Sequence, residues 1–111
     1  MGTVEPYFTV ELDRDTKPVR VVATGEMDAA TTEEMTRRLG EAHEVGAGIS
    51  LDLGGVTFID SSGLRVIAVE LHRSQETQQP FVISAASASV RRIFTVTGLD
   101  SLLPPADPVE Q

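Results

Sequence analysis

The stretch FIDSSGLRV, residues 58–66, decides how this chain is read. Its first half ends an alternating apolar run. Ile49, Leu51 and Leu53 alternate with Ser50 and Asp52, and after Gly54 and Gly55 the run resumes with Val56, Phe58 and Ile59. A period of two marks a strand. The second half opens a different period, because Leu64, Ile67, Ala68 and Leu71 fall at i, i+3, i+4 and i+7, one stripe of a helix. Asp60, Ser61, Ser62 and Gly63 therefore stand where a central strand hands over to a helix. In open α/β sheets the functional crevice lies at the carboxyl ends of the strands. A helix start also presents free amides and the positive end of its dipole, so a phosphate carried on a serine there meets a favourable field. Serine is equally a good N-cap and glycine eases a turn, so the four residues taken alone serve as well for a plain cap.

Working outward, residues 8–12 alternate and residues 19–23 are β-branched and apolar, with DRDTKP between them, which predicts an opening hairpin. Gly25 is expected to end the second strand. Thr31 followed by Glu34 matches a capping box, and Met35, Leu39 and Ala42 give the following helix its apolar side, closed by Gly46 and Gly48. Beyond the quoted junction, RSQETQQP is a polar connection and residues 81–84 a short strand. Val90, Ile93 and Phe94 form the inward side of a third helix, which Gly98 ends with Leu99 as a hydrophobic contact. Leu102 and Leu103 suggest a short final strand, and PPADPVEQ, residues 104–111, a frayed tail. Strands separated by helices run parallel through right-handed crossovers. The expected architecture is one α/β domain over residues 1–111, with a mixed, mostly parallel sheet, an antiparallel first strand, helices packed on the sheet and a core at about 8–103.

Composition narrows the function. Seventeen acidic residues against nine basic ones give a net charge of -8, the wrong sign for nucleic acid or an anionic membrane surface. There is no cysteine, hence no disulfide or thiolate metal site, which suits a reducing cytoplasm. The two histidines, His43 and His72, make no ligand cluster and read as surface residues of helices. No basic leader precedes an apolar run, and no stretch approaches the ~20 apolar residues of a membrane span. A cytoplasmic protein without cofactor or metal is expected. A serine hydrolase is disfavoured, since D-S-S-G is not a G-x-S-x-G elbow and His72 lies ten residues from Ser62 on one helix, about 15 Å away.

Three segments together carry a resemblance. GEMDAATTEEM (25–35), LDLGGVTFIDSSGLRVI (51–67) and ASASVRRIFTVTGL (86–99) resemble the STAS domain, the sulfate transporter and anti-sigma factor antagonist family, over about residues 8–103. The short single-domain bacterial anti-sigma factor antagonists match best, with D-S-S-G-L the most specific piece. The resemblance implies a non-enzymatic regulator that binds an anti-sigma factor with serine kinase activity and frees a sigma factor. The kinase then inactivates it at the first serine of D-S-S-G, here Ser61, a serine phosphatase restores it, and ATP belongs to the kinase. It makes Asp60 the acidic neighbour of the phosphoacceptor, places Asp28 beside the phosphorylation loop, and leaves Ser62 as helix cap or secondary hydroxyl. Arg65 departs from the glycine often found after D-S-S-G-L, and the proline-rich tail from a final amphipathic helix. A STAS module that never cycles through phosphorylation, serving as scaffold or regulatory subunit of a stress-signalling complex, is the competing reading.

A helical wheel adds one expectation independent of family. With Leu64, Ile67, Ala68 and Leu71 facing the core, Val66 and Val69 fall on the opposite side with Arg73. Those valines, with Gly63 and the Ser61 end of the helix, make a candidate docking surface.

Overall fold

Period-two apolar patterning produces four strands, and 3.6-period patterning three helices. The computed structural model describes residues 7–105. The elements are β1 (Phe8–Asp13), β2 (Val19–Met27), a 3-10 turn (Ala29–Thr31), α1 (Thr32–Val45), β3 (Ile49–Ile59), α2 (Ser61–Glu76), β4 (Phe81–Ala86), α3 (Ala88–Val96) and a second 3-10 turn (Asp100–Leu102). The strands form one sheet in the order β1-β2-β3-β4, with β1 antiparallel to β2 and the other pairs parallel. This is the mixed sheet expected, with the chain's order preserved in space. Leu12, Val21, Leu51 and Ile83 lie in register across all four strands. They point into a core shared with Met35 and Leu39 of α1, Ile67 of α2, and Val90 and Phe94 of α3. The alternate positions Arg20 and Asp52 meet at 3.4 Å on the other side of the sheet, so one face is apolar and covered while the other is polar.

Two irregularities carry β3 to its end. Leu53, Val56 and Ile59 are all buried although three residues apart, which a regular strand forbids because its side chains alternate. Register shifts against β2 lie between Val22 and Thr24 and between Gly25 and Glu26, each giving β3 one extra residue. Each such bulge resets the alternation. The expectation that Gly25 ends β2 is overturned. The strand runs on to Met27, and Gly25 sits inside it at φ +105, where a Cβ would come within 2.3 Å of the Tyr7 carbonyl oxygen. Only glycine tolerates both that backbone and that approach.

The capping box expected on Thr31 and Glu34 lies one turn earlier. Asp28 accepts from the Ala30 amide at 3.0 Å, and the Thr31 hydroxyl accepts from the Asp28 amide at 2.9 Å, capping the 3-10 turn before α1. Glu34 instead pairs with Arg37 at 2.7 Å. Leu102 begins no strand, since its amide closes a 3-10 turn on Leu99. Of the expected tail, Pro104 is held by a hydrogen bond from Arg91 to its carbonyl at 3.0 Å, and residues 106–111 lie outside the described part. No helix among the described residues is long and apolar enough to cross a membrane.

The buried side of α2 is rotated from the expected stripe. Gly63, Leu64, Ile67, Glu70 and Ser74 are buried, Leu71 is half-buried and Ala68 is exposed. The cause is a polar network. His43, expected on the surface, is buried near the end of α1 with its Nδ1 at 2.7 Å from Glu70 Oε2, which also accepts from Ser74 Oγ at 3.1 Å. A carboxylate accepting from both places the imidazole proton on Nδ1. His43 Nε2 then faces Thr77 Oγ1 at 3.2 Å and Gln79 Nε2 at 3.3 Å. His72 is exposed as expected, within 3.3 Å of Glu76.

Where α2 starts, Gly63 lets the helix lie directly on the ends of β2 and β3. A Cβ there would stand 2.8 Å from the Met27 carbonyl oxygen and 3.1 Å from Ile59 Cγ1. Gly63→Ala is expected to lose about 1–3 kcal/mol in urea unfolding through overpacking. A loss under about 0.5 kcal/mol would show that the helix start is free to shift. Glu70→Ala, which leaves buried His43 without its acceptor, is expected to cost about 3 kcal/mol. His43→Leu combined with Glu70→Leu should recover part of that loss, and a double-mutant cycle reads the coupling.

Candidate functional site

Asp28 and Asp60 each follow the last paired residues of adjacent parallel strands, Met27 and Ile59. The strands lie about 5 Å apart, and the Asp60 amide donates to the Met27 carbonyl at 3.2 Å. The two aspartates therefore share one end of the sheet, where the resemblance places Asp28. Each works locally as a cap. Asp60 has extended backbone, and its Oδ1 accepts from the amides of Ser62 at 2.9 Å and Gly63 at 3.2 Å, while its carbonyl accepts from Leu64 at 3.0 Å. Asp28 holds the neighbouring 3-10 turn and also accepts from the Tyr7 hydroxyl through Oδ2.

Two expectations change here. The cap of α2 is Asp60 and not Ser62, because the residue that leaves the strand with extended backbone is the one whose side chain can turn back onto the next amides. Of the amides expected to stand free for a phosphate at the helix start, those of Ser62 and Gly63 are already taken by that carboxylate. Ser61 is the first residue of α2 and exposed, and no hydrogen bond among the described residues uses its hydroxyl. Ser62 is half-buried and turns toward α1.

A groove of about 380 Å³ runs between α1 and α2 from this junction. Thr32, Thr36 and Leu39 line it from α1, and Ser62, Arg65, Val66, Val69, Glu70 and Arg73 from α2. Val69 is 57% exposed, as the wheel predicts. Val66 does not face water as expected, since it is half-buried and packs against the core from the groove floor. The rotation of α2 that buries Glu70 moves Val66 inward by the same angle. Tyr7 and Phe58, the latter 47% exposed, lie at the same end of the sheet and were not singled out by pattern. Phe58 is paired with Glu26 beyond the second bulge, and the bulge aims it outward.

Among the described residues the arrangement holds no nucleophile with its base. Ser61 has no histidine near it along α2, and His43 is committed to Glu70 near the far end of α1. What remains is an exposed hydroxyl between two anchored carboxylates, beside a groove with an apolar floor.

Comparison with known proteins agrees with this geometry. The family model described as Mlab, STAS domain, matches residues 10–104. The anti-sigma-B factor antagonist of Listeria monocytogenes is 32% identical over 93 residues, covering 82% of this chain and 81% of the relative. The anti-sigma factor antagonist SpoIIAA, solved in its unphosphorylated form, superposes with a TM-score of 0.75 at 23% identity, over 88% of each chain. The Bacillus cell fate determinant SpoIIAA in the phosphorylated form gives 0.67 at 22% identity, over 88% of this chain and 91% of that one. Proteins of this kind are regulators and not enzymes. By the family model that covers residues 10–104 and by its identity to the Listeria relative, the chain belongs to the STAS domain family.

Proposed function

We propose that this protein is a cytoplasmic anti-sigma factor antagonist switched at Ser61. Unphosphorylated, it binds an anti-sigma factor that is also a serine kinase, so that a sigma factor is released. The kinase transfers the γ-phosphoryl group of its ATP to Ser61: the hydroxyl loses its proton, the Oγ–P bond forms, and ADP leaves. A serine phosphatase reverses the step by hydrolysis. The name carried by the Listeria relative supports an anti-sigma factor as the partner.

The observation that carries the reading is the division of labour at the junction. Asp60 caps α2 and Gly63 seats it, so Ser61 has no structural duty and its hydroxyl is exposed. A phosphate there leaves the fold intact. It adds about -1.5 to -2 charge beside Asp60, on a chain already at -8. At an interface that charge must be desolvated against a surface fitted to a hydroxyl. A penalty of ~3 kcal/mol lowers affinity by roughly two orders of magnitude, enough to free a bound partner.

The docking surface proposed with it comprises Asp28, Asp60, Ser61, Ser62 and Gly63, continued by Val66 and Val69 along the groove. Exposed Tyr7 and Phe58 extend it with aromatic area of the kind interfaces favour.

The test is recovery of partners from host lysate on wild type, Ser61→Ala and Ser61→Asp, followed by titration of the recovered protein. Ser61→Ala is expected to retain a kinase-like anti-sigma factor, and Ser61→Asp to bind it at least about tenfold more weakly. Equal binding by all three would make Ser61 a bystander and the protein a constitutive module. Val69→Asp, at an exposed position, should leave the unfolding midpoint unchanged and weaken partner binding about tenfold or more. Unchanged affinity would remove the groove from the interface.

A further inference from the structure

Resting on the reading of Ser61 as phosphoacceptor, we propose that Arg65 is the intramolecular partner of the Ser61 phosphate, a positioning residue that couples phosphorylation to the groove. Ser61 and Arg65 are four residues apart on α2 and both exposed. Side chains at i and i+4 are neighbours on a helix, and an anion preceding a cation at that spacing is the favourable orientation.

The surroundings leave the phosphate little else. The amides of Ser62 and Gly63 are held by Asp60 Oδ1 and that of Leu64 by the Asp60 carbonyl. The nearest anchored charges, Asp60 and Asp28 across the strand ends, have its own sign. Arg14, Arg20, Arg37 and Arg38 are paired with carboxylates, Arg73 reaches Glu70 at 3.8 Å, and Arg91 donates to Pro104. Lys17, in the β1–β2 turn, and Arg92, on α3, are unpaired among the described residues too, but neither shares a helix with Ser61. Arg65 makes no ion pair among the described residues, so its guanidinium has no competing partner to leave. A guanidinium offers a phosphate two parallel hydrogen bonds.

Arg65 also lines the groove, with Arg73 further along the same helix. When the phosphate recruits it, the mouth of the groove gains a dianion and loses a cation together. A partner carboxylate that meets Arg65 in the unphosphorylated protein is then opposed twice by a single modification.

The experiment uses the full chain with phosphoserine installed at position 61 during translation, so that no kinase is needed, and follows the phosphate by 31P NMR against pH. Arginine favours the dianion, so its removal raises the second pKa of the phosphate. In Arg65→Gln that pKa is expected about 0.3 unit above wild type. Arg65→Lys should restore part of the shift, and the difference should shrink in 1 M salt. In phosphorylated wild type the Arg65 Nε–H resonance should move as the phosphate titrates. Identical pKa values in wild type and Arg65→Gln, with an Arg65 resonance indifferent to the phosphate, would overturn the pairing. Intact mass of the protein from its host tests the acceptor separately. If Ser61 is never modified there while the 0.3-unit difference persists, the phosphoacceptor reading fails and the pairing stands.

Discussion

The hydrogen bond from the Asp60 amide to the Met27 carbonyl is the constraint on which the rest of the site depends. It ties the end of β3 to the end of β2 at the point where both chains leave the sheet. The next backbone unit must then turn, and the Asp60 carboxylate turns back onto Ser62 and Gly63 to start α2 there. Gly63 allows that start to lie within van der Waals range of Met27 and Ile59. Sheet, cap and helix thereby fix the direction of the first turn of α2, and with it the position of Ser61.

Much of the fold was legible because its determinants are local. Period-two runs at Phe8, Val19, Ile49 and Phe81 gave the strands, and the D-S-S-G junction marked where β3 ends. Failures came where distant residues decide. Val66 and Ala68 were misplaced because the orientation of α2 is set by Glu70 reaching a histidine 27 residues away. Leaving buried His43 without that carboxylate costs more than exposing one alanine. Isolated in sequence, His43 gives no sign of its partner. Thr31 and Glu34 have the spacing of a capping box, yet a 3-10 turn built on Asp28 takes the Thr31 hydroxyl first. Leu53, Val56 and Ile59, by contrast, did carry a signal. Three apolar residues at intervals of three after a regular strand demand bulges, and GG offered a place for one.

The site divides in the same way. The strand-to-helix junction at residues 60–63 could be located from sequence because the change of period falls within four residues. The roles given to Asp60 and Ser61, by contrast, came from the family resemblance, and the cap, expected on Ser62, lies on Asp60. Asp28 was placed at the neighbouring strand end, and parallel pairing brings it there. Tyr7, Thr32, Thr36 and Arg65 could not be assigned, since their relation to the junction exists only once β1 pairs with β2 and α1 packs beside α2.

On the proposed reading, a residue that serves as a switch must be free to change its chemistry without changing the fold, and the two adjacent serines behind an aspartate meet that requirement. Had Ser61 been the cap, phosphorylation would have removed the hydrogen bond that begins α2, and the modified protein would have lost the helix that presents the signal. Aspartate performs the capping with a carboxylate, which a serine kinase does not modify, and glycine performs the packing with no side chain at all. Ser62 faces the groove, where its hydroxyl is half-covered. Of the two, Ser61 is exposed and uncommitted, so on the proposed reading a charge placed on it would face a docked partner and Arg65 one turn along, and not the core of Leu51, Ile67 and Phe94.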